Sequence, residues 1–420
     1  MGALLFSVFL GTLALGVPIA FSIAIAGVVV LIAGDVNLLI IVQRMFAATD
    51  SFSLVAVPFF ILAGDLLARG EMSKTLVAFA ESCIGKLKGG LSAVSVLASM
   101  FFAAISGSGA ATTAAVGSSM IPELKKRGYA EDRSAALIAA GGCIGVVIPP
   151  SVPMVLYAVI AEQSVTRLFK NGFFPGFMMG GVLIAISLYQ AKKLAYPSGK
   201  PFSLSELWKT FQKAIWAIIM PLIILGGIFS GYFTPSEAAG VAVVYSMLVS
   251  LFIYRDLSIP ELGKIMLQSG RTSAMIMIII ACSGIFGWAL ANWKIPETIA
   301  TAVLSVSSNT YIILFIISIL ILIAGVFMET ASAIILLTPV FLPLIKMMGV
   351  DLVHFGLIFT VGIAIGMITP PVAIDLFVAS SVTGLPIERI AKVVVPYLVG
   401  LIIVLLIYIY LPLFIPALII

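Results

Sequence analysis

Four short stretches of this 420-residue chain carry groups that could hold ions or small polar molecules away from water. Ser106-Gly107-Ser108-Gly109 and Met328-Glu329-Thr330 place hydroxyls, a carboxylate and unhindered backbone between long apolar runs. Two further runs are interrupted by one punctuation, Gly-x-x-x-Pro-Pro, at Gly145 with Pro149-Pro150 and at Gly366 with Pro370-Pro371. Proline lacks an amide proton and disfavours helix in the residue before it, so each Pro-Pro step should break a helix. Where one helix ends and the next begins, free carbonyls and free amides lie together. Carbonyls and hydroxyls can coordinate desolvated Na+, and a helix N-terminus can hold a carboxylate without a buried arginine. One cation site would combine Ser106, Gly107, Ser108 and Gly109 with carbonyls from Gly145 to Pro149. A second would combine Met328, Glu329 and Thr330 with carbonyls from Gly366 through Thr369 to Pro370. For an anionic substrate the candidate hydroxyls are those of Ser106, Ser108, Thr112, Ser151, Thr330, Ser332 and Thr369. Glu329 and Asp375 are the strongest intramembrane carboxylates, able to bind Na+, carry a proton or contact substrate hydroxyls. Plainer readings stand beside these: Ser-Gly-Ser-Gly could serve only close helix packing, and Asp375 could bond a freed helix end.

The elements that position these groups lie in a membrane. With 62% hydrophobic and 10% charged residues and a mean hydropathy of +1.24, the chain is far outside soluble ranges. Its length allows roughly ten crossings of about 20 residues each. The net charge of +5 is read as loop lysines and arginines on the cytoplasmic side, without substrate meaning, and no nucleic-acid partner is expected. Cys83, Cys143 and Cys282 have no paired spacing, so no disulfide framework or metal cluster is expected, nor any organic cofactor. Nothing near Met1 reads as a cleavable signal. No Gly-x-Ser-x-Gly, His-Glu-x-x-His or Walker loop is present, so enzyme activity and ATP use are not expected. His354, the one histidine, reads as an interfacial residue.

Shifting the numbering by 221 superposes Pro122 on Pro343, Gly128 on Gly349, Gly145 on Gly366, both Pro-Pro pairs, and Pro175 on Pro396. Six coincidences of potential helix-breakers at one offset imply a duplication. Residues 1–210 would form the first repeat, with a hairpin at 91–121 and a broken helix at 134–162. Residues 211–420 would form the second, with a hairpin at 310–345 and a broken helix at 354–383. The hairpin arms read as too short to span, and their polar tips suit a protein-lined cavity, so both are expected to be re-entrant. Lys86, Lys88, Lys125, Lys126, Arg127 and Arg133 flank the first hairpin, whereas the second has Lys346 alone. Their open ends therefore face opposite sides, the first cytoplasmic. Returns at Lys192, Lys193 and Lys200 agree with that count. The expected fold is an all-α polytopic membrane protein, an inverted-topology repeat of two re-entrant helical hairpins and two broken transmembrane helices. Segments 73–86 and 296–306 read as interface helices, and the N-terminus as two short helices divided at Gly16-Val17-Pro18. No Arg or Lys falls in the middle of a predicted span. Asp65 and Glu237 are placed nearer the interfaces, Glu237 as a helix-terminal structural residue.

These residues resemble a known family. The segment from Gly227 to Gly240, with Thr234-Pro235-Ser236-Glu237 inside it, the Ser106–Gly109 tip followed by Ala110-Ala111-Thr112, and the two Pro-Pro breaks are similar to the large membrane subunit of tripartite ATP-independent periplasmic (TRAP) transporters, over essentially the whole chain. Within the family the likeness is to the sialic-acid type. The resemblance implies an elevator-type transporter of the bacterial inner membrane, driven by an inward Na+ gradient with at least two coupling ions. It also implies a small four-helix membrane subunit on a separate polypeptide and a periplasmic substrate-binding protein that delivers an organic anion. The family's cation and substrate region maps onto Ser106–Gly109, Gly145–Ser151, Glu329–Thr330 and Gly366–Pro371. Alternatives are a Na+/carboxylate symporter of another hairpin family, working without a binding protein, and an ion channel.

Overall fold

The computed structural model describes residues 1–68, 71–84, 87–198, 202–307 and 309–413. Lys86 and Lys200, used above for charge, lie outside the described residues. Helices α1 (Gly2–Ala14) and α2 (Ile19–Ala33) divide where expected, at Gly16 with φ 81° and at Pro18, the N-cap of α2. Helix α3 (Leu39–Thr49) runs through a bend of 63° into α4 (Ala56–Ala68), and α5 (Glu71–Ile84) follows. The sequence reading has no helix at α3, because Asn37, Gln43, Arg44 and Asp50 dilute its apolar residues. Arg44 thus sits, exposed, inside a helix that is not among the spans predicted from sequence.

Helices and interruptions fall at the positions that the sequence reading assigns to the two hairpins and the two broken helices. The first hairpin pairs α6 (Gly90–Ser106) with α7 (Gly109–Lys126), and the first interrupted helix is α8 (Glu131–Cys143) with α9 (Val152–Ala161). After α10 (Val165–Lys193) come α11 (Leu204–Ser230), α12 (Pro235–Leu248), α13 (Ile259–Asn292) and α14 (Ile295–Val306). The second hairpin pairs α15 (Thr310–Phe327) with α16 (Thr330–Met347). The second interrupted helix is α17 (Leu352–Gly366) with α18 (Ile374–Thr383), and α19 (Ile387–Tyr410) ends the helical order. Helix α16 begins 221 residues after α7, and α17 the same distance after α8. The prolines matched at that offset do not all break helices. Pro122 and Pro343 lie inside α7 and α16, and Pro175 and Pro396 inside α10 and α19. Gly128 and Gly349 both take positive φ, 79° and 66°, in the turns that follow the hairpins, where a residue without Cβ is least strained.

Among the described residues seven helices are long and apolar enough to cross a membrane, or eight if the bent α3–α4 pair is one span. Both arms of the second hairpin belong to that set at 18 residues each. At about 1.5 Å per residue each reaches roughly 27 Å, so length alone does not make them re-entrant, contrary to the expectation from sequence. The arms of the first hairpin carry different chemistry. Helix α7 is built largely of Gly, Ala, Ser and Thr and packs closely on α8 and α18, whereas α15 exposes Ile312, Ile316, Ile319 and Ile323. Partners are exchanged between the halves, with α18 against α7 and α9 against α16.

Candidate functional site

The first tip is closed by its own side chains. Gly107 ends α6 in the left-handed region at φ 59°, and Ser108 caps α7 by accepting from the Ala111 amide at 3.4 Å. Thr112 donates to the Ser108 carbonyl at 2.8 Å, and its hydroxyl lies 2.9 Å from that of Ser106. This tip fits against the first break with no room for a side chain between them. A Cβ built on Gly145 would lie 2.5 Å from Thr112 Oγ1 and 2.6 Å from the Ser108 carbonyl oxygen; one on Gly107 would lie 2.8 Å from the Pro150 carbonyl oxygen. Glycine is required at both positions by close approach of backbone. Past Pro149, Ser151 donates to the Val146 carbonyl at 2.5 Å and caps α9 by accepting from Met154. Both Pro-Pro bonds, 149–150 and 370–371, are cis.

The second tip uses a carboxylate where the first uses a serine. Glu329 is the N-cap of α16, accepting from the amides of Ala331 at 2.9 Å and Ser332 at 3.2 Å. The first free amides of α16 are thus satisfied by Glu329. Thr330 Oγ1 lies 3.0 Å from the Met367 sulfur, and Thr369 donates to the Ile365 carbonyl at 2.9 Å. Gly366 meets the hairpin arm one turn before its tip, since a Cβ there would be 2.5 Å from Gly325 Cα and 3.0 Å from the Leu322 carbonyl oxygen. The first break is wholly buried, whereas Pro370 and Pro371 are exposed.

A cavity of about 310 Å³ brings the two tips together. The first tip contributes Ser106 through Ala111, and the second contributes Glu329, Thr330 and Ala331. Val146, Val152 and Met367 come from the flanks of the two breaks. The opposite wall is α4, with Gly64 and Asp65, and α13, with Gln268 and Thr272. Sequence reasoning missed this wall. Asp65 lines the cavity and accepts from the Ser269 hydroxyl at 2.6 Å, rather than marking an interface. The available signal was a single Asp within Leu62–Leu67, an otherwise apolar and small run.

Of the predicted residues, Ser106, Gly107, Ser108, Gly109, Glu329 and Thr330 line this cavity. Thr112, Gly145, Pro149, Ser151, Gly366, Thr369, Pro370 and Asp375 are not in its lining. Thr112, Ser151 and Asp375 are fully buried behind it. Asp375, from the second half, points into the first: its Oδ2 lies 3.9 Å from Cys143 Sγ, and its amide donates to the Met367 carbonyl at 3.0 Å. Glu237 is structural, completing a reciprocal cap with Thr234 at 2.8 and 3.3 Å. His354 is buried against Tyr408, with ring centroids 4.9 Å apart.

Among the described residues no group of three or more His, Cys, Asp or Glu side chains is placed to hold a metal ion. The cavity offers backbone carbonyls, hydroxyls, amides and two carboxylates, a donor set suited to hard monovalent cations and to an anion held at helix ends.

A family model described as "Tripartite ATP-independent periplasmic transporter, DctM component" matches residues 6–414. The isethionate TRAP transporter permease protein DctMQ of Oleidesulfovibrio alaskensis is 42% identical, over 97% of this chain and 65% of its own length. The chain therefore spans just under two thirds of that relative. The C4-dicarboxylate TRAP transporter large permease protein DctM of Pseudomonas aeruginosa is 41% identical over 88% of this chain and 86% of its own. The sialic acid TRAP transporter large permease protein SiaM of Vibrio cholerae is 34% identical over 94% and 93%. In fold the chain is similar to the Alcanivorax borkumensis YdaH transporter, with a TM-score of 0.66 and 14% identity over 90% of this chain and 88% of that one.

Proposed function

The chain belongs to the DctM component family of TRAP transporters, and on that premise we propose that it imports an organic anion, sialic acid or a related carboxylate, together with at least two Na+. It is a multi-pass protein of the bacterial inner membrane. In this reading the two hairpins and two interrupted helices form a mobile core, and the remaining helices form a scaffold past which the core moves as an elevator. The two halves, 1–210 and 211–420, are oppositely oriented repeats whose hairpins are re-entrant. Recurrence of elements at a constant offset and the basic flanks of the first hairpin support that orientation. Na+ would be held at each pairing of tip with break, by Ser106–Gly109 with Gly145–Pro149 and by Glu329–Thr330 with Gly366–Pro370. The substrate would meet the tip hydroxyls and helix ends. A small four-helix membrane subunit and a periplasmic binding protein complete the proposed transporter.

One observation carries the coupling. The cavity between the tips is lined by two carboxylates, Asp65 and Glu329, and by no Lys or Arg among the described residues. In a low-dielectric setting a third negative charge entering such a space is strongly repelled unless cations enter with it. Helix N-termini offset only part of that repulsion, at about 0.3–1 kcal/mol each. An anion that binds here therefore needs cation company, and the carbonyl-rich breaks behind both tips are where small cations can sit. The test is uptake of radiolabelled anion into proteoliposomes holding both membrane subunits, with the binding protein outside. Uptake should stop when an ionophore collapses the Na+ gradient, and undiminished uptake would refute the coupling.

A further inference from the structure

Asp375 is a buried carboxylate that neither the tip–break cation sites nor the cavity lining accounts for. It is 0% exposed. Its Oδ1 has no hydrogen-bond partner, and Oδ2 has only the weak Cys143 thiol at 3.9 Å. No salt bridge to it is formed among the described residues. The hydroxyl oxygen of Thr113 is likewise buried and unpartnered. These two orphans share one small space. A Cβ built on Gly109 would lie 3.0 Å from Asp375 Oδ2 and 3.2 Å from the Gly142 carbonyl oxygen. A Cβ on Gly142 would lie 3.0 Å from the Gly109 carbonyl oxygen, 3.2 Å from Asp375 Oδ2, and against Thr113 Oγ1. A carboxylate oxygen, a hydroxyl and two carbonyls therefore surround positions that two glycines keep free of side chains. The approach of α18 is itself forced, because Ala373, two residues before Asp375, holds φ at 54°, a conformation a Cβ-bearing residue seldom adopts.

A buried polar group without a partner costs free energy, and an unpaired carboxylate costs far more. A cluster of oxygens around an uncompensated negative charge is chemistry that a desolvated hard cation satisfies and that a hydrophobic core does not. The geometry points to a further Na+ site formed by Asp375, Thr113 and the carbonyls of Gly109 and Gly142, one helical turn from Gly145 and sharing only Gly109 with the first tip–break site. It joins α7 and α8 of the first half to α18 of the second. Its ion would fasten the two halves of the core together behind the first tip. The identity of the ion rests on the Na+-coupled reading above; the position of the site does not.

The test uses the full chain in detergent, with thermal unfolding followed in choline chloride and in NaCl at equal ionic strength and 22Na+ binding measured alongside. Asp375→Asn removes the charge and keeps the shape. It should raise the unfolding temperature in choline, shrink the gain produced by NaCl, and lower the number of Na+ bound by one. Thr113→Val should keep the count but raise the half-saturating Na+ roughly tenfold, the order expected for loss of one buried oxygen partner. A carboxylate with a merely structural role gives the opposite sign, with Asp375→Asn less stable in choline and its Na+ count unchanged, and that outcome overturns the proposal. If Asp375→Asn keeps the wild-type count while Gly145→Ala lowers it, this site fails and the tip–break reading survives. If the wild-type protein binds no Na+, both fail.

Discussion

Gly145→Ala is the smallest change that tests whether the first tip and the first break form one site. The added Cβ would stand 2.6 Å from the Ser108 carbonyl oxygen and 2.5 Å from Thr112 Oγ1, whereas ordinary contact begins at 3.4 Å. The Ser108 carbonyl would then retreat by about 0.8 Å, and because it is backbone at a hairpin tip, the tip moves with it. Metal–oxygen distances tolerate only about 0.2 Å, so a carbonyl displaced this far no longer serves a cation held by the break. Overpacking of this kind costs about 1–3 kcal/mol. Borne by the ion-bound arrangement, that cost raises the half-saturating Na+ concentration by about 5- to 150-fold, at ~1.4 kcal/mol per factor of ten. The assay is thermal unfolding across a Na+ titration, which reads ion affinity through linkage without knowledge of the substrate. Gly226→Ala is the control. It lies within α11 with nothing inside 4 Å of its Cβ position, and alanine is favoured there by up to about 1 kcal/mol. A Gly145→Ala protein that folds and keeps the half-saturating Na+ of wild type and Gly226→Ala would refute the reasoning.

Gly366→Ala should be more damaging than Gly145→Ala, because its Cβ meets the Gly325 backbone at 2.5 and 2.6 Å and no side chain there can yield; uptake and unfolding temperature should both fall, and unchanged uptake would reduce the second break to a kink. Glu329→Ala strips the cap from α16 and should cost about 1 kcal/mol in unfolding experiments, whereas Glu329→Gln keeps an acceptor oxygen, holds stability, and loses Na+-dependent uptake through its missing charge. Thr112→Val removes one partner each from the Ser108 carbonyl and the Ser106 hydroxyl, which keep their bond to one another, a loss of about 0.5–1.5 kcal/mol per bond that Thr112→Ser should restore in the same unfolding assay.

What could be read from the sequence was set by local punctuation. The Pro-Pro steps, the Ser-Gly-Ser-Gly tip and Glu329 lie between helices whose ends are fixed within a few residues by missing amides, side-chain caps and glycines, so hairpins and breaks could be placed from the string alone. Two kinds of feature could not. Helix α3 mixes Arg44 and Gln43 with apolar residues, and its existence depends on packing against α13, where Gly284 admits the Arg44 backbone. Asp65 and Asp375 are single carboxylates in apolar runs, and only the three-dimensional arrangement decides what each faces. Asp65 looks across the cavity from a helix outside the hairpins and the breaks, and Asp375 reaches from one half of the chain into the other. The pairing of each tip with its own break was foreseeable from the repeat. The exchange of α9 and α18 between hairpins was not, because no local signal records which copy a helix packs against.

The central claim is that each tip and its break hold one Na+. Equilibrium 22Na+ binding to the purified chain, without substrate, tests it most directly when wild type is compared with Gly145→Ala, Gly366→Ala and the double variant. Wild type should bind at least two ions, each single variant should lose one at a Na+ concentration saturating for wild type, and the double variant should lose both. Equal Na+ counts in wild type and both single variants would contradict it.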